Sequence, residues 1–258
     1  MDGYMKSNKN EYTTFASVYD TFMDNVPYEK WGAYILEILR DNHISEGKLL
    51  DLGCGTGKLS RILATYNYEI TAIDLSEDML MIARENTDME SMPIIYVEQD
   101  IRELLVPEGY NAVISTCDTF NYIIEPEELV VVFQKVYDCL NDNGIFFFDF
   151  NTVYKYQTII GDQVIAEDRE EAAFIWDNEY IEEEKLNIYD LTLFVQTKEN
   201  NYQKFKETHY QRGYEYAEIK KMLTKVGFTL LLAEEDYANK RITCEADRVC
   251  VTVIKKRG

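Results

Sequence analysis

The chain has 258 residues, enough for one large domain or for a domain with a sizeable insertion, and its 46% hydrophobic content can fill a core. A formal charge of −21, with no basic run before Lys255-Lys256-Arg257, argues against nucleic acid, whose binders cluster Lys and Arg to displace counterions. Five cysteines without a CxxC pair suit neither a disulfide framework nor a zinc site, and no apolar stretch has the length of a membrane span, so a cytoplasmic protein with no membrane partner is expected.

In chain order, Trp31, Tyr34, Ile35, Ile38 and Leu39 recur at helical spacing and predict an amphipathic helix over 30–41. KLLDL (48–52) reads as a buried strand ending in glycines, and Leu59, Ile62, Leu63 and Tyr66 mark the next helix. EITAID (69–74) is a strand, followed by Ser76 as N-cap with Glu77 and Asp78 at the positive helix end. IIYVEQD (94–100) and NAVIST (111–116) are further strands. A stripe from Leu129 to Leu140 predicts a helix stopped by Asn143-Gly144 before the strand IFFFDF (145–150). Alternating helices and nearly all-apolar strands mean an α/β, doubly wound, mostly parallel sheet. Between 151 and 213 the period becomes two: AAFIWDNEY, LNIYDLTLFVQ and YQKFKETHYQ predict an inserted antiparallel meander. The core is thus expected over 1–150 and 214–258, with an N-terminal helical cap over about 1–45 and residues 151–213 as a substrate lid. A last helix through Ile219–Val226 leads to FTLLLA and RVCVTVI, which are joined by a loop alone and should pair antiparallel.

The chemistry gathers where these strands end. Gly53, Gly55 and Gly57 form GxGxG after Asp51, whereas a dinucleotide fingerprint wants GxGxxG and here has Lys58 in place of its third glycine. The spacing suits a ligand with a carboxylate and an ammonium more than a pyrophosphate. A glycine turn required only by strand–helix packing is the alternative. Asp74 closes the second strand, where a carboxylate can accept from both ribose hydroxyls, and Asp100 closes the third, where it can accept from an adenine amino group while Ile101 covers the ring. Three acids and three glycines at successive strand ends converge on one crevice.

LLDLGCGTGK, AIDLSEDMLMIAR, VEQDIREL, NAVIST with CDTFNYI, and IFFFDFNT together resemble the class I, Rossmann-like S-adenosylmethionine-dependent methyltransferases, in particular the "methyltransferase domain 25" small-molecule group. YTTFASVYDTFMDNVPYEKWGAYI and HYQRGYEYAEIKKMLTKVGF resemble bacterial members of that group and the sugar N,N-dimethyltransferases of antibiotic pathways. The resemblance implies a seven-stranded sheet with its last strand reversed and S-adenosyl-L-methionine as cofactor. It places Asp51, Gly53, Cys54 and Gly55 around the methionine part, Asp74, Leu75 and Met79 near the ribose and adenine, Asp100 and Ile101 at the adenine, and Cys117 beside the cofactor. Tyr12 or Tyr19 would close over it. Met79 reads equally well as a core residue of its helix.

For the acceptor, Asp118, Asn121 and Tyr122 follow the fourth strand, although Asn121 and Tyr122 could equally be helix-start packing. Of the two histidines, His209 on the last insertion strand is a candidate base or substrate contact, and His43 is structural or exposed. The expected reaction is methyl transfer to a small-molecule nitrogen or oxygen. A nicotinamide-dependent oxidoreductase and a non-catalytic S-adenosylmethionine-binding protein stand as alternatives.

Overall fold

The computed structural model describes residues 12–90, 93–197 and 201–257, without the side chains of 12–15, 17 and 88–90. Two helices come first, α1 (Tyr12–Phe22) and α2 (Tyr28–Asp41). The apolar stripe of α2 buries Trp31, Tyr34, Ile35, Ile38 and Leu39 on one face of the main sheet, against Leu49, Ile70, Ile114 and Phe147.

The sheet is built by β1 (Gly47–Leu52), β2 (Tyr68–Asp74), β3 (Ile94–Glu98), β4 (Tyr110–Ser115) and β5 (Leu140–Asn151). The crossovers include α3 (Lys58–Ala64), α4 (Glu77–Glu90) and α5 (Pro126–Cys139). Four antiparallel strands follow, β6 (Gln163–Asp168), β7 (Ala172–Ile181), β8 (Leu186–Gln196) and β9 (Tyr202–Arg212). The chain returns to the main sheet through α6 (Tyr216–Val226), β10 (Thr229–Glu235), the two-residue β11 (Lys240–Arg241) and β12 (Arg248–Ile254).

The main sheet has the order β11-β10-β12-β5-β4-β1-β2-β3. β1 to β5 are parallel, and β12 runs against both β5 and β10. This is the expected doubly wound sheet with a reversed last strand, extended at one edge by β11. Leu49, Leu50 and Leu52 of β1 are fully buried because helices cover both faces. The strand order reverses between β1 and β4, which opens a crevice at their carboxyl ends.

Two local expectations are corrected. Asn143-Gly144 does not stop α5: the helix ends at Cys139, because Leu140 already pairs with Tyr110 of β4. Asn143, with φ of 63°, instead forms an irregularity inside β5, its amide donating to Lys255 O at 2.7 Å. Alternation predicted three insertion strands and four form. The extra one, β6, is an edge strand with Val164 63% exposed, so it lacks the buried apolar face that makes a strand legible.

Candidate active site

Ile73, near the end of β2, organises the glycine turn: its carbonyl accepts the amides of Gly53 (2.8 Å) and Cys54 (2.9 Å). Gly53 and Gly55 both adopt positive φ, 73° and 55°, for different reasons. A Cβ on Gly53 would lie 2.3 Å from Thr119 Oγ1, so this glycine permits internal packing. A Cβ on Gly55 would meet nothing within 4 Å. Gly55 therefore borders open space, and its bare backbone is a cradle that a side chain would fill.

That space is a recess lined by Tyr19, Tyr28, Asp51, Gly53, Cys54, Gly55, Thr56, Lys58, Leu59, Thr116 and Cys117. Asp51 is buried at its floor and accepts a hydrogen bond from Ser60. Burial pushes its carboxyl up to about 7; the Ser60 bond opposes this and the Asp74 charge adds to it. Asp74 accepts from Gly55 N (2.8 Å) and Ser76 N (2.9 Å), so the ribose-binding candidate also braces the turn. Burial raises its pKa against these amides. Tyr19 comes from α1 and Tyr28 from α2, with Tyr28 Oη 3.8 Å from Cys117 Sγ. Burial pushes the Cys117 thiol up to about 12, so it is a neutral lining group. The next residue of α1, Asp20, accepts from the Thr56 hydroxyl at 2.8 Å and ties that helix to the turn.

Asp74 and the other predicted residues lie outside this lining. Leu75 is 48% exposed at the end of β2, and Met79 is buried in α4, whose first turn Ser76 caps by accepting Met79 N at 3.3 Å. Ile101 packs against the main core. Asp100 faces Arg102, with contacts from 2.6 to 3.0 Å, and caps the short helix Ile101–Glu103. Burial opposes ionisation there, but the Arg102 bonds outweigh it and hold the carboxyl below the usual range. The side chain of Tyr12 is outside the described residues.

Beyond Cys117 the acceptor candidates separate. Asp118 has φ of 53° and receives Gln211 Nε2 at 2.7 Å, which links the end of β4 to β9. Asn121 does not face an acceptor: it is fully buried, and its amide donates to Asn151 O and Arg212 O while its carbonyl accepts Asn151 N. All three partners are backbone, so Asn121 clamps β5 to β9. His209 is 4% exposed, stacks on Tyr189 at 4.6 Å, and lies 3.3 Å from both Tyr122 Oη and Glu207 Oε2. His43 is exposed just past α2.

Asp149 of β5 went unnoticed in the sequence. Its carboxylate accepts the amides of Cys117 (3.2 Å) and Asp118 (2.8 Å), the Tyr237 hydroxyl and Arg248 Nη1 (2.9 Å). Its only sequence signal is an acid interrupting an apolar strand. Tyr28 carries no local signal, because α2 reaches the recess only through folding.

A reversed-strand Rossmann-like sheet, a GxGxG turn around an open cradle, and an acid closing β2 define an S-adenosylmethionine-dependent methyltransferase. The methyltransferase domain family matches residues 49–144, and the chain belongs to that family. It is 34% identical over 239 residues to "Putative methyltransferase YqeM" of Bacillus subtilis, covering 92% of this chain and 94% of that protein. An S-adenosylmethionine-dependent methyltransferase from Clostridium acetobutylicum superposes with a TM-score of 0.88 at 29% identity, covering 95% of this chain and 99% of that one. CalS10 of Micromonospora echinaspora, an amino pentose methyltransferase solved with S-adenosylmethionine bound, shares the fold with a TM-score of 0.74 at 16% identity, covering 93% and 97%. The nicotinamide alternative is set aside.

Proposed function

We propose that the enzyme methylates a nitrogen or oxygen of a small molecule held between the carboxyl ends of β4 and β5 and the four-stranded sheet. The observation that supports this reading is the contact of that sheet with the segment after β4: Gln211 of β9 donates to Asp118, and Tyr122 Oη is 2.8 Å from Tyr189 Oη of β8. On the inner face Trp176 packs on Tyr189 and Tyr189 stacks on His209, beside the cluster that holds Val18 and Phe22 of α1. The amino pentose acceptor named for CalS10 is consistent with such a substrate.

In this reading Asp51, Gly53, Cys54 and Gly55 surround the methionine part, and Asp74 binds the ribose with Leu75 and Met79 nearby. Asp100 and Ile101 serve the adenine, while Tyr19 and Cys117 close the recess. The bound sulfonium supplies an activated methyl group and its own leaving group. The protein's share is to hold the acceptor in line and exclude water, and alignment of this kind contributes several kcal/mol. Residues 151–213 act as the lid.

The test is a panel of amino sugars, small amines and small alcohols assayed for S-adenosylhomocysteine, with calorimetry of S-adenosylmethionine binding to the wild type and Asp74→Ala. Turnover with a panel member, and affinity reduced about tenfold or more by Asp74→Ala, are expected. No product with any member would remove the small-molecule reading; unchanged affinity would remove the role given to Asp74.

A further inference from the structure

Glu207, His209 and Gln211 alternate along β9 and share its core-facing side, at 5%, 4% and 4% exposure. Gln211 is satisfied at both ends, donating to Asp118 and accepting the Tyr156 hydroxyl at 3.0 Å. Glu207 is not. Its Oε2 meets His209 Nε2 at 3.3 Å, while Oε1 is buried with no hydrogen-bond partner. Leaving a carboxylate oxygen in that condition is costly. Packing does not call for an acid here, since the cross-strand partner of Glu207 is Leu191 and the preceding residue on its face is Phe205.

The position makes sense through His209. A carboxylate only accepts, so the imidazole hydrogen belongs on Nε2, and Nδ1 then offers a lone pair to Tyr122 Oη. Tyr122 can in turn accept from Tyr189, whose ring stacks on the imidazole at 9°. Every hydrogen bond in the chain Tyr189, Tyr122, His209, Glu207 can then point toward the carboxylate. Tyr122, 42% exposed, is at the mouth of this chain on the short helix following β4.

We propose that Tyr122, His209 and Glu207 form a proton relay for the methyl acceptor, with Glu207 as the positioning residue that sets the His209 tautomer. The proposal rests on the small-molecule reading above. As the acceptor's lone pair forms its bond to the methyl group, the sulfur–methyl bond breaks and its electrons stay on sulfur. The acceptor's proton passes to Tyr122 Oη while the Tyr122 proton passes to Nδ1. The resulting imidazolium is held by the Glu207 carboxylate until the proton leaves to solvent. The logic is that of a carboxylate–imidazole pair with a tyrosine as the outer member.

Imidazole nitrogen shifts test the relay without any acceptor. The chain has two histidines, and His43→Asn leaves the His209 signals alone in ¹⁵N-labelled full-length protein. The Nε2–H tautomer is expected, and Glu207→Leu should abolish that preference. Glu207→Gln, close in shape, should keep the melting temperature and the S-adenosylmethionine affinity but lower kcat at least tenfold with the best panel acceptor. Tyr122→Phe should lower kcat similarly while leaving the tautomer intact. An Nδ1–H tautomer in the wild type, or full kcat in Glu207→Gln, would overturn the relay. A panel without any acceptor would overturn its service to a small molecule, whatever the tautomer.

Discussion

Asp149 receives Arg248 Nη1 at 2.9 Å in a place where the Asp149 side chain is wholly shielded from water and that of Arg248 is 13% exposed. The same carboxylate holds the amides of Cys117 and Asp118, two consecutive non-glycine residues with φ of 57° and 53°. Left-handed backbone at such residues is strained, and here it is fixed by a carboxylate that is itself held by an ion pair from the adjacent strand β12.

Removing that charge should therefore act on stability and binding together. Asp149→Asn takes the nearer ionic partner from buried Arg248 and leaves it only Asp118 at 3.6 Å, which costs up to about 3–5 kcal/mol. Urea unfolding should register the loss. Calorimetry should show weaker S-adenosylmethionine binding, because Cys117 lines the recess. Unchanged stability would mean that Arg248 finds compensation elsewhere.

Asp51 should produce the opposite trade. Its native carboxyl binds a proton more tightly than the unfolded chain does, with a pKa raised from 3.8 to about 7. Its contribution to stability is then full below 3.8 and is lost as pH rises through about 7. Asp51→Asn should remove this loss and stabilise the ligand-free protein at pH 8 by roughly 2–4 kcal/mol. The same variant should bind S-adenosylmethionine more weakly. Thermal unfolding of both proteins across pH 4–8 checks the sign; an unaltered pH slope in the variant would refute it.

The glycine turn offers a paired experiment. Gly55→Ala should cost only about 1–2 kcal/mol of stability, the strain of a left-handed alanine, but reduce S-adenosylmethionine affinity tenfold or more because the methyl occupies the cradle. Gly53→Ala drives its methyl against Thr119 and should destabilise by about 2–4 kcal/mol, since the packed helix after β4 must move. Equal effects on folding and binding in both variants would erase the distinction drawn between the two glycines.

Much of the main sheet was readable in the chain because its signals are local. The stripe of α2, the alternating strands and helices, Asp51 and Asp74 at their strand ends, and the Ser76 cap each depend on neighbours within a few residues. The turn of α5 into β5 was misread because strand pairing with Tyr110 overrides the local Asn143-Gly144 signal. β6 was missed because an exposed edge needs little apolar alternation.

The acceptor side was less readable. Asn121 looked available for chemistry, yet its three bonds reach Asn151 and Arg212, which come close only when β5 and β9 assemble. Glu207 and His209 could have been paired from the period of a strand, but the partnership with Tyr122 could not.

What the amino-acid order determined alone is the glycine turn with its acids, because GxGxG, Asp51 in β1 and Asp74 at the end of β2 lie within a short stretch of chain whose backbone geometry is set locally. Tertiary structure decided the rest. Arg248 meets Asp149, Gln211 meets Asp118 and Tyr28 meets Cys117 across 99, 93 and 89 positions of sequence, and contacts at such separations exist only once the sheets have formed.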